Sequence, residues 1–198
     1  MKKILKILFI IILYYLPITS QAEIKPIIEG NIDAKIKIII FESLTCSHCA
    51  SFHKKVYPSL KEDFIEKGLV VMEFKNFPLD MAAFNASKIA HCKNDGKSEI
   101  LHYLFENQDK WVKGNTITDL NKNLKNFISN SNDLNPIFSL NFEECLNNTK
   151  IEDFILEDRI NGAKKFKIEA TPTLIINGEK FENALNYKKL KKYLEKLI

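Results

Sequence analysis

Two cysteines stand directly behind a β-branched run and directly before an amphipathic one. Residues 36–41 read Ile-Lys-Ile-Ile-Ile-Phe, the pattern of a buried strand. Cys46 and Cys49 follow, and then apolar positions at Phe52, Val56, Leu60 and Phe64 recur at helical spacing. Strand, tight turn, then helix, with both thiols in the first turn, constrains the fold more than any other stretch. Thr45 reads as the helix N-cap, which would put Cys46 where unpaired backbone N–H groups and the positive end of the helix dipole favour an anion. A thiolate is such an anion, at once nucleophile and leaving group, so the pair reads as a redox centre. The competing reading is half of a zinc site. That needs a second ligand pair at compatible spacing, and the remaining cysteines, Cys92 and Cys145, are far apart in sequence and form no second C-x-x-C.

The 198 residues suit one domain, or one domain with a large insertion. Residues 1–22 differ from the rest. Lys2 and Lys3 precede an apolar run over 4–16, interrupted by Lys6, and Ser20-Gln21-Ala22 offers a small-x-small cleavage site. They read as an export signal peptide; a membrane anchor would need a longer run, of roughly 20 apolar residues. Without these residues the net charge falls from 29 − 25 = +4 to 26 − 25 = +1, because three lysines and no acids leave. The remaining lysines alternate with acids along helix faces, as over 62–67 and 188–196, which suits a solvated surface and gives no nucleic-acid footprint. Export would also place the chain where disulfides persist.

Along residues 23–198 a short strand is expected near 26–29, and the strong strand follows over 36–41. Pro58 is expected to kink the cysteine-bearing helix, Gly68 to end it, and 69–74 to form a second buried strand, giving a right-handed crossover and a parallel pair. From Asp80 the spacing becomes helical for some seventy residues, with pieces over 81–92, 98–107, 117–128 and 135–147. Another helix covers 151–166, a strand covers 173–176, and Asn177-Gly178 turns it into a hairpin with 180–184 before a closing helix from Tyr187. The expected fold is therefore α/β, thioredoxin-like, with an inserted all-helical domain. Residues 23–79 and 151–198 would make the thioredoxin-like domain and 80–150 the insertion.

Four motifs carry a family resemblance: Ser43-Leu44-Thr45-Cys46-Ser47-His48-Cys49, Phe77-Pro78-Leu79-Asp80, Leu104-Phe105-Glu106-Asn107-Gln108-Asp109-Lys110-Trp111, and Thr171-Pro172-Thr173-Leu174 leading to Asn177-Gly178. In this order the chain resembles the DsbA family of periplasmic thiol:disulfide oxidoreductases over nearly all of residues 23–198. The resemblance implies that Cys46 is the exposed nucleophile and Cys49 its partly buried partner. His48 lies between the thiols, where an imidazole favours the thiolate; Ser47 stands where the family's oxidases commonly have proline. Thr171-Pro172 matches the cis-proline loop that faces the disulfide and offers its backbone to an extended substrate. The family usually has a buried acid six residues before the first Cys, a place held here by Ile40; Glu42, on the same strand face, is expected to replace it, paired with Lys75 as a proton relay. His53 reads as solvated helix surface, and His91 and His102 fall in no motif. Leu44 is expected to contribute to a substrate groove.

An even count of four cysteines in an exported chain suggests two bridges, and some DsbA relatives have a second one, which would be Cys92–Cys145; two buried free thiols are the alternative. The resemblance further implies a monomer acting on unfolded or reduced exported proteins, reoxidised by a quinone-linked membrane partner of the DsbB type, with no bound cofactor or metal. A disulfide isomerase or reductase is the alternative within enzymes. Those often dimerise through an N-terminal domain, for which residues 23–35 leave no space. A copper-carrying module is a further alternative, against which the count of three methionines speaks.

Overall fold

The computed structural model describes residues 23–131 and 140–198. The expected signal peptide, residues 1–22, lies outside the described residues, as does the start of the helix expected from residue 135. Five strands form one mixed sheet in the order β1-β3-β2-β4-β5: β1 (Ile27–Gly30), β2 (Ile36–Glu42), β3 (Val70–Asn76), β4 (Thr173–Ile176) and β5 (Glu179–Lys180). β2 runs parallel to β3 and antiparallel to β4, and β1 closes one edge antiparallel to β3. The central strand is the β-branched run that opened the sequence, and both of its faces are covered. Ile36, Ile38 and Ile40 enter the main core, which includes Phe52 and Leu60, while Phe41 points the other way against Phe77, Ile168 and Ile175. Burying each such side chain stabilises the fold by roughly 1.5–3 kcal/mol. Gly162 is what lets a helix approach that second face: a Cβ there would lie 2.7 Å from Phe41 Cε1.

The cysteine-bearing helix α1 (Ser47–Lys55) stops one turn before the proline. Pro58 sits at the start of a new short helix, α2 (Tyr57–Leu60), where its missing N–H costs nothing, and a π-helical turn at Lys61–Ile65 returns the chain to β3. After β3 the described residues are helical up to β4: α3 (Met81–His91), α4 (Glu99–Glu106), α5 (Gln108–Trp111), α6 (Ile117–Ser131), α7 (Phe142–Leu146) and α8 (Thr149–Lys165). Trp111 is fully buried among them and donates Nε1–H to the Leu104 carbonyl at 2.9 Å. Cys92, at the end of α3, is disulfide-bonded to Cys145 in α7. The β4–β5 turn takes positive φ at both Asn177 (51°) and Gly178 (90°), the conformation that this dipeptide favours. β5 ends at Lys180, short of the strand read over 180–184, and the chain closes with α9 (Tyr187–Leu194). No helix of the described residues is long and apolar enough to cross a membrane.

Candidate active site

The end of β2 and the start of α1 bring the two sulfurs to the edge of the core. Cys46 is itself the N-cap of α1 and has no side-chain cap bond. The Thr45 cap does not form, because the Thr45 hydroxyl donates instead to Asp80 Oδ2 at 2.6 Å, on the N-cap residue of α3. The loop is held from the helical region as well. Gln108 Nε2 donates to the carbonyls of Leu44 at 2.8 Å and Cys46 at 3.1 Å, a role that the sequence reading did not assign to it. Cys46 is half-buried, Cys49 is fully enclosed, and the two are unbridged in this structure.

Their environments drive the two thiols apart. A hydrogen bond from the Cys49 thiol, helped by the Thr171 hydroxyl and the backbone N–H groups of Cys49 and His48, outweighs partial burial and brings the Cys46 pKa down to about 5. At pH 7 the thiolate then exceeds the thiol by about a hundredfold. Burial, the bond to Cys46 and the negative charge of Glu42 push the Cys49 thiol far up, so it stays protonated. His48 is exposed, and what it gives the Cys46 sulfur is its backbone N–H rather than its ring.

The Thr171–Pro172 peptide is cis and lies against this pair. As a thiol, Cys46 donates to the Thr171 carbonyl oxygen at 3.3 Å. The Thr171 hydroxyl is buried and has no hydrogen-bond partner among the described residues, which leaves it available to the thiolate. Beside the sulfur opens a groove of about 450 Å³ whose walls include His48, Phe52, Val56, Pro172, Leu185 and Tyr187. Leu44, expected there, is only 2% exposed and belongs to the core. Cys46, Cys49, His48, Thr171 and Pro172 thus meet in one place.

Lys75 does not join them, and the expected Glu42–Lys75 pair is corrected by strand register. Glu42 stands opposite Asn76 and Phe41 opposite Lys75, so side chains that alternate across the pleat send Glu42 and Lys75 to opposite faces of the sheet. Lys75 Nζ bonds Asp158 Oδ1 and Glu73 Oε1, each at 2.8 Å. Burial works against its ammonium, but these two carboxylates more than offset it and raise its pKa. The partner of Glu42 is His53, with Oε2 to Nε2 at 2.8 Å. His53 is 2% exposed, not solvated surface. Its signal was its position, four residues after Cys49 and seven before Leu60, on the helix face that the core takes. Burial raises the Glu42 pKa well above the usual carboxylate range and lowers that of His53 to about 3. The bond between Cys92 and Cys145 means that neither completes a zinc site with the other pair.

The family described as Thioredoxin matches residues 22–196. The chain belongs to that thioredoxin family. Within it, the crystal structure of alpha-DsbA1 from Wolbachia pipientis superimposes with a TM-score of 0.74 at 28% identity, covering 93% of this chain and 94% of that one. Disulfide bond formation protein D of Bacillus subtilis is 26% identical over 192 residues, 90% of this chain and 80% of that protein. A Rickettsia bellii relative, provisionally named protein-disulfide oxidoreductase, is 27% identical over 168 residues. The alignment takes in 84% of this chain but 62% of the Rickettsia protein, so the chain spans about six-tenths of the length of such relatives. This thioredoxin-family site is of the DsbA type, a C-x-x-C pair at a helix start facing a cis-proline loop.

Proposed function

We propose that this chain is a thiol:disulfide oxidoreductase that introduces disulfide bonds into exported proteins through its Cys46–Cys49 pair. The observation that carries the reading is the contrast between the two sulfurs: one half-exposed and ionised near pH 5, the other enclosed and protonated, both against Thr171-Pro172. A stabilised thiolate favours the reduced dithiol form and makes the disulfide form an oxidant. A client thiolate attacks Cys46 Sγ of the disulfide. The sulfur–sulfur bond to Cys49 breaks, its electron pair and a proton come to rest on Cys49, and a mixed disulfide joins client to Cys46. A second client thiolate then attacks the client sulfur, and Cys46 leaves as thiolate. The groove beside Pro172 would receive the extended client.

The Cys92–Cys145 bridge supports an oxidising compartment, and with the charged stretch and apolar run of residues 1–22 we place the protein in the periplasm, as a monomer reoxidised by a DsbB-type quinone-linked membrane protein. In this reading residues 80–150 form a helical insertion in a thioredoxin-like domain made of 23–79 and 151–198.

Oxidative refolding tests the direction. Mixed in its disulfide form with a reduced, unfolded protein, the enzyme is expected to form client disulfides while Cys46 and Cys49 become thiols. If it leaves the reduced client untouched but, as the dithiol, repairs a scrambled one, the protein is an isomerase.

A further inference from the structure

The polar contacts beneath the sulfurs do not stop at His53. Its other ring nitrogen, Nδ1, lies 2.9 Å from His102 Nδ1, and His102 Nε2 lies 2.8 Å from Glu29 Oε1. Glu42, His53, His102 and Glu29, contributed by β2, α1, α4 and β1, form one unbroken line of hydrogen bonds. Its inner end is Glu42, 4% exposed; its outer end is Glu29, whose side chain is 12% exposed and stands 3.5 Å from the Lys61 ammonium at the surface. The rings are gripped in place: His53 is stacked on Phe105 with centroids 4.1 Å apart, and His102 on Tyr57 at 4.2 Å.

Hydrogen counting gives this line two complete states. In one, the Glu42 carboxyl donates to His53 Nε2, His53 Nδ1–H to His102 Nδ1, and His102 Nε2–H to the Glu29 carboxylate. In the other each hydrogen has crossed its bond outward, toward Glu29, so Glu29 is the acid and Glu42 the carboxylate. Both satisfy every nitrogen with neutral imidazoles. Passing between them carries one proton from end to end without moving a heavy atom. Glu42 Oε1 is buried and bonded to nothing among the described residues, and the Glu42 charge bears on the Cys49 thiol.

We propose that Glu42, His53, His102 and Glu29 are a proton wire serving the enclosed sulfur of Cys49. The proposal rests on the oxidoreductase reading and deepens it. When a client thiolate breaks the Cys46–Cys49 bond, the electron pair stays on Cys49, which takes the Glu42 proton. That proton reaches Glu42 from the state in which Glu29 is the acid: each hydrogen of the line crosses one bond inward, and Glu29 is left the carboxylate. In reoxidation the Cys46 thiolate first attacks a disulfide-bearing oxidant, breaking its sulfur–sulfur bond: one sulfur forms a mixed disulfide with Cys46 and the other leaves as thiolate. Cys49 then attacks the mixed disulfide at Cys46, gives up its proton outward along the same line, and the oxidant's remaining sulfur leaves as thiolate. His53, His102 and Glu29 are positioning residues in this scheme. The charges facing the line are Lys61 and Glu66 beside Glu29 and Tyr57, Glu106 beside His53, and Cys46 beside Glu42.

The test is stopped-flow reduction of the 46–49 disulfide by dithiothreitol between pH 5.5 and 8.5, in mixtures of H2O and D2O. His102→Asn and Glu29→Gln keep hydrogen-bonding shape but cannot relay a proton. They are expected to slow the step by about tenfold or more and to flatten its pH profile, with the Cys46 titration left near pH 5. The unaltered protein is expected to show a bowed rate plot against deuterium fraction, since several protons move together. Variants with unaltered rate and pH profile, or a straight plot for the unaltered protein, overturn the wire; if neither variant folds, the plot alone decides. Absence of any exchange in the unaltered protein overturns the oxidoreductase reading, whereas exchange indifferent to His102 and Glu29 overturns only the wire.

Discussion

Gln108 Nε2 sits 2.8 Å from the Leu44 carbonyl oxygen, so a residue of the helical region holds the turn from which Cys46 projects. The same amide also reaches the Cys46 carbonyl. Gln108→Leu takes this donor from the buried Leu44 carbonyl, which costs about 1–3 kcal/mol for such a group, while the Cys46 carbonyl keeps the Ala50 N–H at 3.1 Å. The expected outcome is a lower urea midpoint together with a Cys46 titration moved upward, because the helix start it caps loses its support. Absorbance of the thiolate at 240 nm reads the second effect.

The ionisation of Cys46 sets a pH window for the stability of the reduced form. Its pKa falls from about 8.5 in an unfolded chain to about 5 here, so folding is favoured by the thiolate fully above pH 8.5. That contribution shrinks as pH falls and is gone below about pH 5. The melting temperature of the reduced protein minus that of the oxidised protein is therefore expected to rise between pH 5 and 8. Taking the difference removes groups common to both forms, such as Glu42.

The Cys92–Cys145 bond spans 53 residues of sequence, and closing a loop of that length stabilises by about 4 kcal/mol in the chain-entropy treatment. Replacing both cysteines by alanine is expected to lower the denaturation midpoint by a corresponding amount in guanidinium titrations. The rate at which Cys46 reacts with iodoacetamide at pH 7 should stay the same, because the bond ties α3 to α7 and touches neither sulfur of the redox pair.

Lys75→Met separates the two faces of the sheet. It leaves the Asp158 carboxylate, 6% exposed, without its cation, and since Lys75 itself is 24% exposed the loss is expected to be about 2 kcal/mol. Thiol exchange with glutathione should be unchanged across pH. A changed pH profile would mean that Lys75 communicates with Glu42 after all.

Much of this architecture could be read from residue type and spacing alone. The run of isoleucines before Cys46 sufficed for a central strand, and Asn177-Gly178 for the turn between β4 and β5, because both are local signals. What could not be read is where side chains point once a second element arrives. Thr45 looks like a cap until Asp80 competes for its hydroxyl, and Glu42 looks free for Lys75 until the pairing of Phe41 with Lys75 fixes which face each takes. His53 carried a readable signal in its spacing from Cys49, but its polarity argued for solvent, and only His102 and Glu42 together make its burial tolerable. Gln108 lay inside a recognised motif, yet nothing local reveals that its amide reaches back 64 residues.

The contact between Cys46 and Thr171 joins positions 125 residues apart. A chain still being synthesised, or one clipped ahead of Thr171, carries both cysteines but neither the hydroxyl nor the proline that flank them in the finished molecule. Its Cys46 would lack the share of thiolate stabilisation that Thr171 supplies. In the oxidoreductase reading, full potency as an oxidant thus waits until the final 28 of the 198 residues have docked, so fragments and half-made copies exchange disulfides with their neighbours more slowly than the complete protein.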